Sequence, residues 1–322
     1  MVVFWCCLGA AILLSIAILI TAFVCYWMAF YAPPRKPWKN DEEWLPQGRI
    51  YEPYWDSMRQ WAGAVREMPS QDVSVTSYDG LTLKGKFFEY APDAPIELMF
   101  HGYRGCWERD MPGGVQRCFK LGRSVLLVDQ RSSGSSQGHT ITFGIKEHRD
   151  CLTWVDFIVN NLGKNRKIIL TGISMGASTV LMAAGKPLPP NVIGVIADCG
   201  YSTPKEIIQK VIGEMGLPVQ LAYPFVRLGA RIYGGFGLES YSPMQAMKTC
   251  TIPVFFIHGE DDRFVPCDMS KKMYDACQAP KKMITVPGAG HGLSVLTAPD
   301  LYYRSLREFF GSEASSVTSV NN

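Results

Sequence analysis

The sequence predicts an α/β domain: a mainly parallel sheet with helices on both faces, tethered by one N-terminal transmembrane helix. Three observations predict it. From about residue 71 onward, short apolar runs alternate with amphipathic stretches, the pattern of buried parallel strands joined by covering helices. Ahead of them, Val2 to Ala32 contains no charged residue. Finally, Gly172-Ile173-Ser174-Met175-Gly176 joins the apolar run Lys167–Thr171 to the helix-forming run Ala177–Ala184, which reads as strand, sharp turn, helix.

The chain has 322 residues, 47% apolar and 19% charged, so it can bury a full core. Its net charge is +3, and no basic cluster is interleaved with aromatics, which argues against nucleic acid as a partner. The 10 cysteines include no CxxC pair and no Cys/His spacing suited to zinc, so no metal is expected. Scattered unpaired thiols fit a reducing compartment.

The uncharged N-terminal stretch exceeds the roughly 18–20 residues that span a bilayer. Trp5, Tyr26, Trp27 and Tyr31 lie towards its ends, where interfacial aromatics belong. A cleaved signal peptide would need a basic start and a shorter core, so residues 1–32 are expected to be an uncleaved anchor. Arg35, Lys36 and Lys39 follow it and no Lys or Arg precedes it, which orients the remainder towards the cytoplasm.

Residues 33–70 read as a Pro- and Trp-rich connector ending in a short helix. Ser57-x-x-Gln60 resembles its capping box, and Met58, Trp61, Ala62, Val65 and Met68 share one face that packs on the domain. Residues 71–312 form the main domain. Asp72–Tyr90 is a hairpin turning at Tyr78-Asp79-Gly80. Strands follow at Ile96–Phe100, Ser124–Val128, Lys167–Thr171, Val192–Ala197 and Val254–Ile257, with an edge strand near Met283–Val286. Helices are expected at Ile145–Leu162 and Tyr302–Phe310, and the Ser-rich residues 313–322 are expected to be disordered. Between Tyr201 and Ser242 the alternation breaks into apolar residues at helical spacing, too many for an ordinary loop. This stretch is expected to be a helical cap after the sixth strand. It would lie above the serine turn, with Met215 and Phe225 as candidate lining residues of an apolar acyl pocket and Gly234, Gly235 and Gly237 as its hinge.

A serine between strand and helix sits in strained backbone that neighbouring glycines accommodate. Its hydroxyl then stands clear, and the helix N-terminus offers unpaired N–H groups to a developing oxyanion. An unactivated serine needs a base. Five histidines are available, and His291 lies in a Gly-flanked loop after the last strands.

Five stretches carry a more specific resemblance: HGYRG at 101–105, DQRSSGSSQG at 129–138, GISMG at 172–176, HGEDDRFVP at 258–266 and GAGHG at 288–292. Over residues 71–312 the chain resembles serine hydrolases of the α/β-hydrolase superfamily, in the prolyl-oligopeptidase-like and dienelactone-hydrolase-like branch, many of whose similar bacterial members are membrane-anchored. The resemblance implies an α/β-hydrolase fold and a catalytic set in the order Ser174, Asp262, His291. Its HGxxDxxVP pattern puts the acid at Asp262, with Asp261 next to it and Asp198 at the preceding strand end as alternatives. Met175 and Tyr103 would supply the oxyanion N–H groups. Here the chain departs from the lipase HGGG pattern, with Tyr103 followed by Arg104. His101 and His258 would be structural, and Asp129-Gln130-Arg131 would brace the loops. No phosphate loop or dinucleotide fingerprint occurs, so no cofactor is expected. The implied activity is carboxylic ester hydrolysis through an acyl-enzyme, on a small-molecule ester or a short acyl or peptide substrate. A peptidase acting on short peptides and a non-catalytic binding protein on the same fold are the alternatives.

Overall fold

Eight strands form one sheet: β1 (Gln71–Thr76), β2 (Thr82–Phe88), β3 (Ile96–Phe100), β4 (Ser124–Val128), β5 (Ile168–Ile173), β6 (Val192–Asp198), β7 (Val254–Gly259) and β8 (Lys281–Val286). Their order across the sheet is β1-β2-β4-β3-β5-β6-β7-β8. The β1–β2 hairpin pairs antiparallel and β2 pairs antiparallel with β4, while every pairing from β4 to β8 is parallel. This computed structural model describes residues 1–33 and 45–311. Arg35, Lys36, Lys39 and the tail 313–322, expected to be disordered, lie outside the described residues.

Strands β3, β4 and β7 are buried along their whole length, as expected of parallel strands covered on both faces. One face carries the main core, where Trp154, Leu98, Leu126, Leu170 and Phe256 pack together. The other holds Met99, Val115, Cys118, Val125 and Leu127, with Ile169, Phe255 and Leu306 further along.

The α-helices of five residues or more are α1 (Val2–Ala29), α2 (Trp55–Arg66), α3 (Pro112–Lys120), α4 (Glu147–Phe157), α5 (Met175–Ala184), α6 (Pro204–Glu214), α7 (Val219–Ile232), α8 (Pro243–Met247), α9 (Cys267–Ala276) and α10 (Pro299–Phe310). Helix α1 is long and apolar enough to cross a membrane. Its C-terminal third packs on α7: Ala22, Tyr26 and Phe30 are buried, and a methyl group at Gly229 would collide with the Ala22 carbonyl oxygen. Helix α2 begins at Trp55, so Ser57 lies inside it and forms no cap. The turn Glu52–Tyr54, with Pro53 fixing its backbone, leads into the helix in place of a capping box.

Helices α6 and α7 do follow the sixth strand, but their apolar faces are already occupied. Ile207, Ile208, Ile212, Tyr223, Val226 and Ala230 form a second core with Tyr26 and Phe30 of the N-terminal helix and with Phe143, Met175 and Met182.

Candidate active site

The site forms where β3, β5 and β7 end, because the parallel strands deliver their following loops to one edge. Ser174 occupies the single residue between β5 and α5, at φ 55° and ψ −119°. That is left-handed territory a non-glycine residue adopts only under constraint. The constraint is visible in the glycines: a methyl at Gly172 would overlap Gly176, and one at Gly176 would overlap the Phe100 carbonyl. The Ser174 N–H donates to Asp198 O at 2.8 Å, fixing the turn to β6.

Ser174 Oγ lies 2.9 Å from His291 Nε2. His291 Nδ1 lies 2.7 Å from Asp262 Oδ2. Asp262 is buried, and its Oδ1 accepts the Phe264 and Val265 N–H groups at 2.9 and 2.8 Å. His258 Nε2 stands 3.2 Å from its Oδ2. Burial pushes this carboxyl up, but the hydrogen bonds from His258 and His291, the His291 charge and the Val265 amide outweigh it and hold the group at about 2. Asp262 is therefore an acceptor for the Nδ1 proton, and that tautomer leaves Nε2 free to accept from the serine.

The other two carboxylates are elsewhere. Asp198 takes hydrogen bonds from Ser294 Oγ at 3.2 Å and Tyr302 Oη at 3.3 Å, and burial, only partly offset by His258, these two donors and His291, raises it to about 6. Asp261 is exposed. Of the three candidates, Asp262 is the one bonded to His291.

Loop 101–105 closes on the serine from the other side: a methyl at Gly102 would stand 3.6 Å from Ser174 Cβ. Buried His101 anchors the loop, its Nε2 accepting the Gln130 N–H at 3.0 Å while Gln130 Nε2 donates to His101 O at 2.7 Å. The Gly102 N–H donates to Asp110 Oδ2 at 3.1 Å, and Asp110 pairs with Arg109 at 2.6 Å. Met175 is the first residue of α5, so its N–H has no partner within the helix. Tyr103 packs its ring against Phe143, with centroids 5.2 Å apart. Its hydroxyl donates to Ala29 O at 2.8 Å, the last carbonyl of α1.

A cavity of about 1070 Å³ opens onto Ser174 and His291. Its roof is the segment expected to be a mere connector: Ile50, Tyr51, Tyr54, Met58 and Trp61 line it. Tyr51 Oη donates to His291 O at 3.1 Å. Met99, Met111 and Ile173 also line the cavity, together with the polar residues Thr171, Asp198, Tyr302 and buried Arg117. Arg117 pairs with Glu97 and keeps Nη1 without a protein partner. Among the described residues none from 201–242 lines this cavity. Met215 is exposed on the α6–α7 turn and Phe225 is half-buried on α7, so the expectation that they line the pocket is corrected. The reason is that α1 and Phe143 occupy the face the cap would have offered.

Sequence reasoning missed Tyr51, Asp110 and Cys199. The Cys199 thiol lies within 4.8 Å of the Asp262 and His291 donor atoms, and burial pushes it well up, so it stays protonated. An ion at these three groups would have to break the Asp262–His291 hydrogen bond. The only local signal was position: Cys199 follows a strand end, and Asp110 follows the His-Gly loop.

Residues 98–304 match the model of the alpha/beta hydrolase family. The chain therefore belongs to that family. It is 28% identical to the Bacillus subtilis protein YqkD over 198 residues, covering 61% of this chain and 65% of that one, so the match leaves a third of YqkD outside it. The fold superposes on a Pyrococcus furiosus esterase with a TM-score of 0.65 at 20% identity, covering 87% of this chain and 97% of the esterase. It superposes on the Pyrococcus horikoshii acylaminoacyl peptidase with a TM-score of 0.55 at 19% identity, covering 77% of this chain and 42% of the peptidase. Those likenesses are of fold.

Proposed function

We propose that the protein is a serine hydrolase that cleaves carboxylic esters through an acyl-enzyme. The observation that carries this reading is the continuous hydrogen-bonded line Asp262–His291–Ser174, at 2.7 and 2.9 Å, ending on a serine held at φ 55°. In the proposed cycle Ser174 Oγ attacks the ester carbonyl while His291 Nε2 takes its proton. Asp262 holds the Nδ1 proton and stabilises the imidazolium. The Met175 and Tyr103 N–H groups receive the oxyanion, each worth about 3 kcal/mol. Collapse of the tetrahedral intermediate expels the alcohol, which takes the proton from His291. Water, deprotonated by the same nitrogen, then releases the acid and restores Ser174.

The largely apolar cavity under α2 supports an acyl group as the part of the substrate it holds. Each buried methylene would add about 0.8 kcal/mol. Helix α1 would anchor the protein in a membrane, with the hydrolase domain on the cytoplasmic side. The domain's seven free cysteines support that side.

Labelling with a fluorophosphonate, followed by panels of aryl esters and aminoacyl amides, tests the reading. Labelling lost in Ser174→Ala with ester turnover in the wild type is the expected result. Labelling that persists in Ser174→Ala overturns the nucleophile, and turnover of amides but not esters makes the enzyme a peptidase.

A further inference from the structure

The packing of α1 defines how far it stands free of the domain. Residues 2–17 are exposed, Gly9 alone being half-exposed, whereas Ile18, Ala22, Cys25, Tyr26 and Ala29 form a stripe covered by the domain. The free part is about 24 Å of helix at about 1.5 Å per residue. A bilayer's hydrocarbon layer is about 30 Å. A spanning α1 therefore cannot confine its crossing to the free part, and must carry part of its covered stripe into the hydrocarbon.

What covers that stripe is α7, running antiparallel. Gly229 faces Ala22 and Tyr26. One turn further, Tyr233 Oη donates to Leu19 O at 3.1 Å, and the Tyr233 ring meets Phe23 at 5.2 Å. Leu19 lies ten residues before the end of α1, about 15 Å along its axis. At this depth α7 exposes Ile232 (49%) and Tyr233 (37%), continuous with exposed Phe23 and Val24 of α1. Arg227 and Arg231, one turn apart and both exposed, border a shallow groove with Leu228 and Glu239. Arg231 holds its guanidinium beside Gly237, where a methyl group would stand 3.9 Å from Nη1. Long basic side chains at a bilayer edge extend to reach the phosphates.

We propose that the end of α7, Leu228 to Tyr233, is a second membrane contact, seated at the acyl-chain border of the leaflet from which α1 emerges. Ile232 and Tyr233 enter the hydrocarbon edge, and Arg227 and Arg231 meet lipid phosphates. The proposal rests on α1 spanning the bilayer. Its opposite, a bilayer that stops short of Ile18, would leave Phe23, Val24, Trp27 and Met28 in water, although all four are exposed on the domain-bound part of α1.

The test is photolabelling of the full-length protein in nanodiscs whose phospholipid carries a diazirine in its acyl chain, with adducts mapped by mass spectrometry. Adducts are expected on α1 and on the peptide holding Leu228–Tyr233, and not on Tyr78 or Tyr90, which are about as exposed but lie on the β1–β2 turn and just after β2. Ile232→Asp should cut the α7 adducts at least fivefold and leave those on α1 unchanged. Arg227→Glu combined with Arg231→Glu should cut them about two- to fivefold. Adducts on α1 without adducts on α7 overturn the contact alone. Adducts on neither overturn the spanning helix with it. Equal labelling of Tyr78 and Tyr90 would mean that exposure rather than depth governs the yield, and overturns it too.

Discussion

Helices α2 and α7 each bring an apolar stripe to the domain, and the two stripes have opposite uses. Helix α2 lays Met58 and Trp61 over the cavity that reaches Ser174. Helix α7 buries Tyr223, Val226 and Ala230 against the N-terminal helix and the second core. From spacing alone the roles were expected the other way round, with the connector as plain packing and the cap as the pocket. The difference teaches that a stripe reports that a face is buried, and says nothing of what buries it. The decisive fact is the presence of α1, which a hydropathy reading assigns wholly to lipid. Its last third takes the cap's apolar face, and the site is left to be roofed by residues 45–66.

The comparison needs a measure of full loss of activity, and Ser174→Ala provides it. The variant should lose at least about 10⁴-fold in kcat, and His291→Ala nearly as much, because members of such a set act as a unit. Both should keep the wild-type melting temperature within a few degrees. Turnover above a hundredth of wild type in Ser174→Ala, free of contaminating esterase, would remove the nucleophile from the site.

Next in size is the contrast between two buried carboxylates. Asp262→Asn should lower kcat about 10³- to 10⁴-fold, since an amide can donate to His291 Nδ1 and so favours the wrong tautomer. Asp198→Asn should cost less than about fivefold, because its partners are Ser294 and Tyr302 rather than the imidazole. Steady-state kinetics on one aryl ester decides it, and a larger loss at Asp198 would reverse the assignment.

The two helices are then compared directly with aryl esters of increasing acyl length. Removing the Trp61 ring by Trp61→Ala should lower kcat/KM for the longest productive chain about 10- to 100-fold and shift the optimum length, because several methylenes at about 0.8 kcal/mol each lose their wall. Phe225→Ala and Met215→Ala should leave the profile unchanged within about twofold. A shifted optimum in the cap variants, with none in Trp61→Ala, would restore the cap as the pocket.

Much of this was legible in the sequence, and the boundary has a physical cause. The strand–helix alternation marked the sheet because parallel strands are buried on both faces and cannot hide their composition. The Ser174 turn was legible because the geometry there demands small neighbours. Asp262 stood out from Asp261 and Asp198 by its place in HGxxDxxVP; it bonds His291, Asp198 bonds Ser294 and Tyr302, and Asp261 is exposed. Contacts of large sequence separation were not legible. Tyr51 reaches His291 across 240 positions, and Tyr103 reaches the end of α1 across 74. Neither leaves a local pattern. The capping box at Ser57 misled for the reverse reason, since a local pattern was present and the Pro53 turn overrode it.

The smallest effect separates the two carboxylates by sign, in stability rather than rate. Asp198 is raised to about 6 by burial, so between pH 4 and 6 the folded protein holds a proton that the unfolded chain has released. Its contribution to stability therefore falls as pH rises through that window and stays at its lowest above it. Asp262 behaves in the opposite sense: held at about 2, it contributes fully above pH 4 and loses that contribution only as pH falls towards 2. The distance from the ordinary carboxyl value to about 6 corresponds to about 3 kcal/mol, and partial loss of the Ser294 and Tyr302 hydrogen bonds in the amide reduces the gain at high pH to about 1–2 kcal/mol. Asp198→Asn should consequently melt a few degrees below wild type at pH 4 and a few degrees above it at pH 6 and higher, with the sign changing between those values. Melting curves of the detergent-solubilised protein from pH 4 to 8 read this directly. Parallel curves for variant and wild type across the range would mean that Asp198 is ionised throughout and that its two hydroxyl partners outweigh its burial.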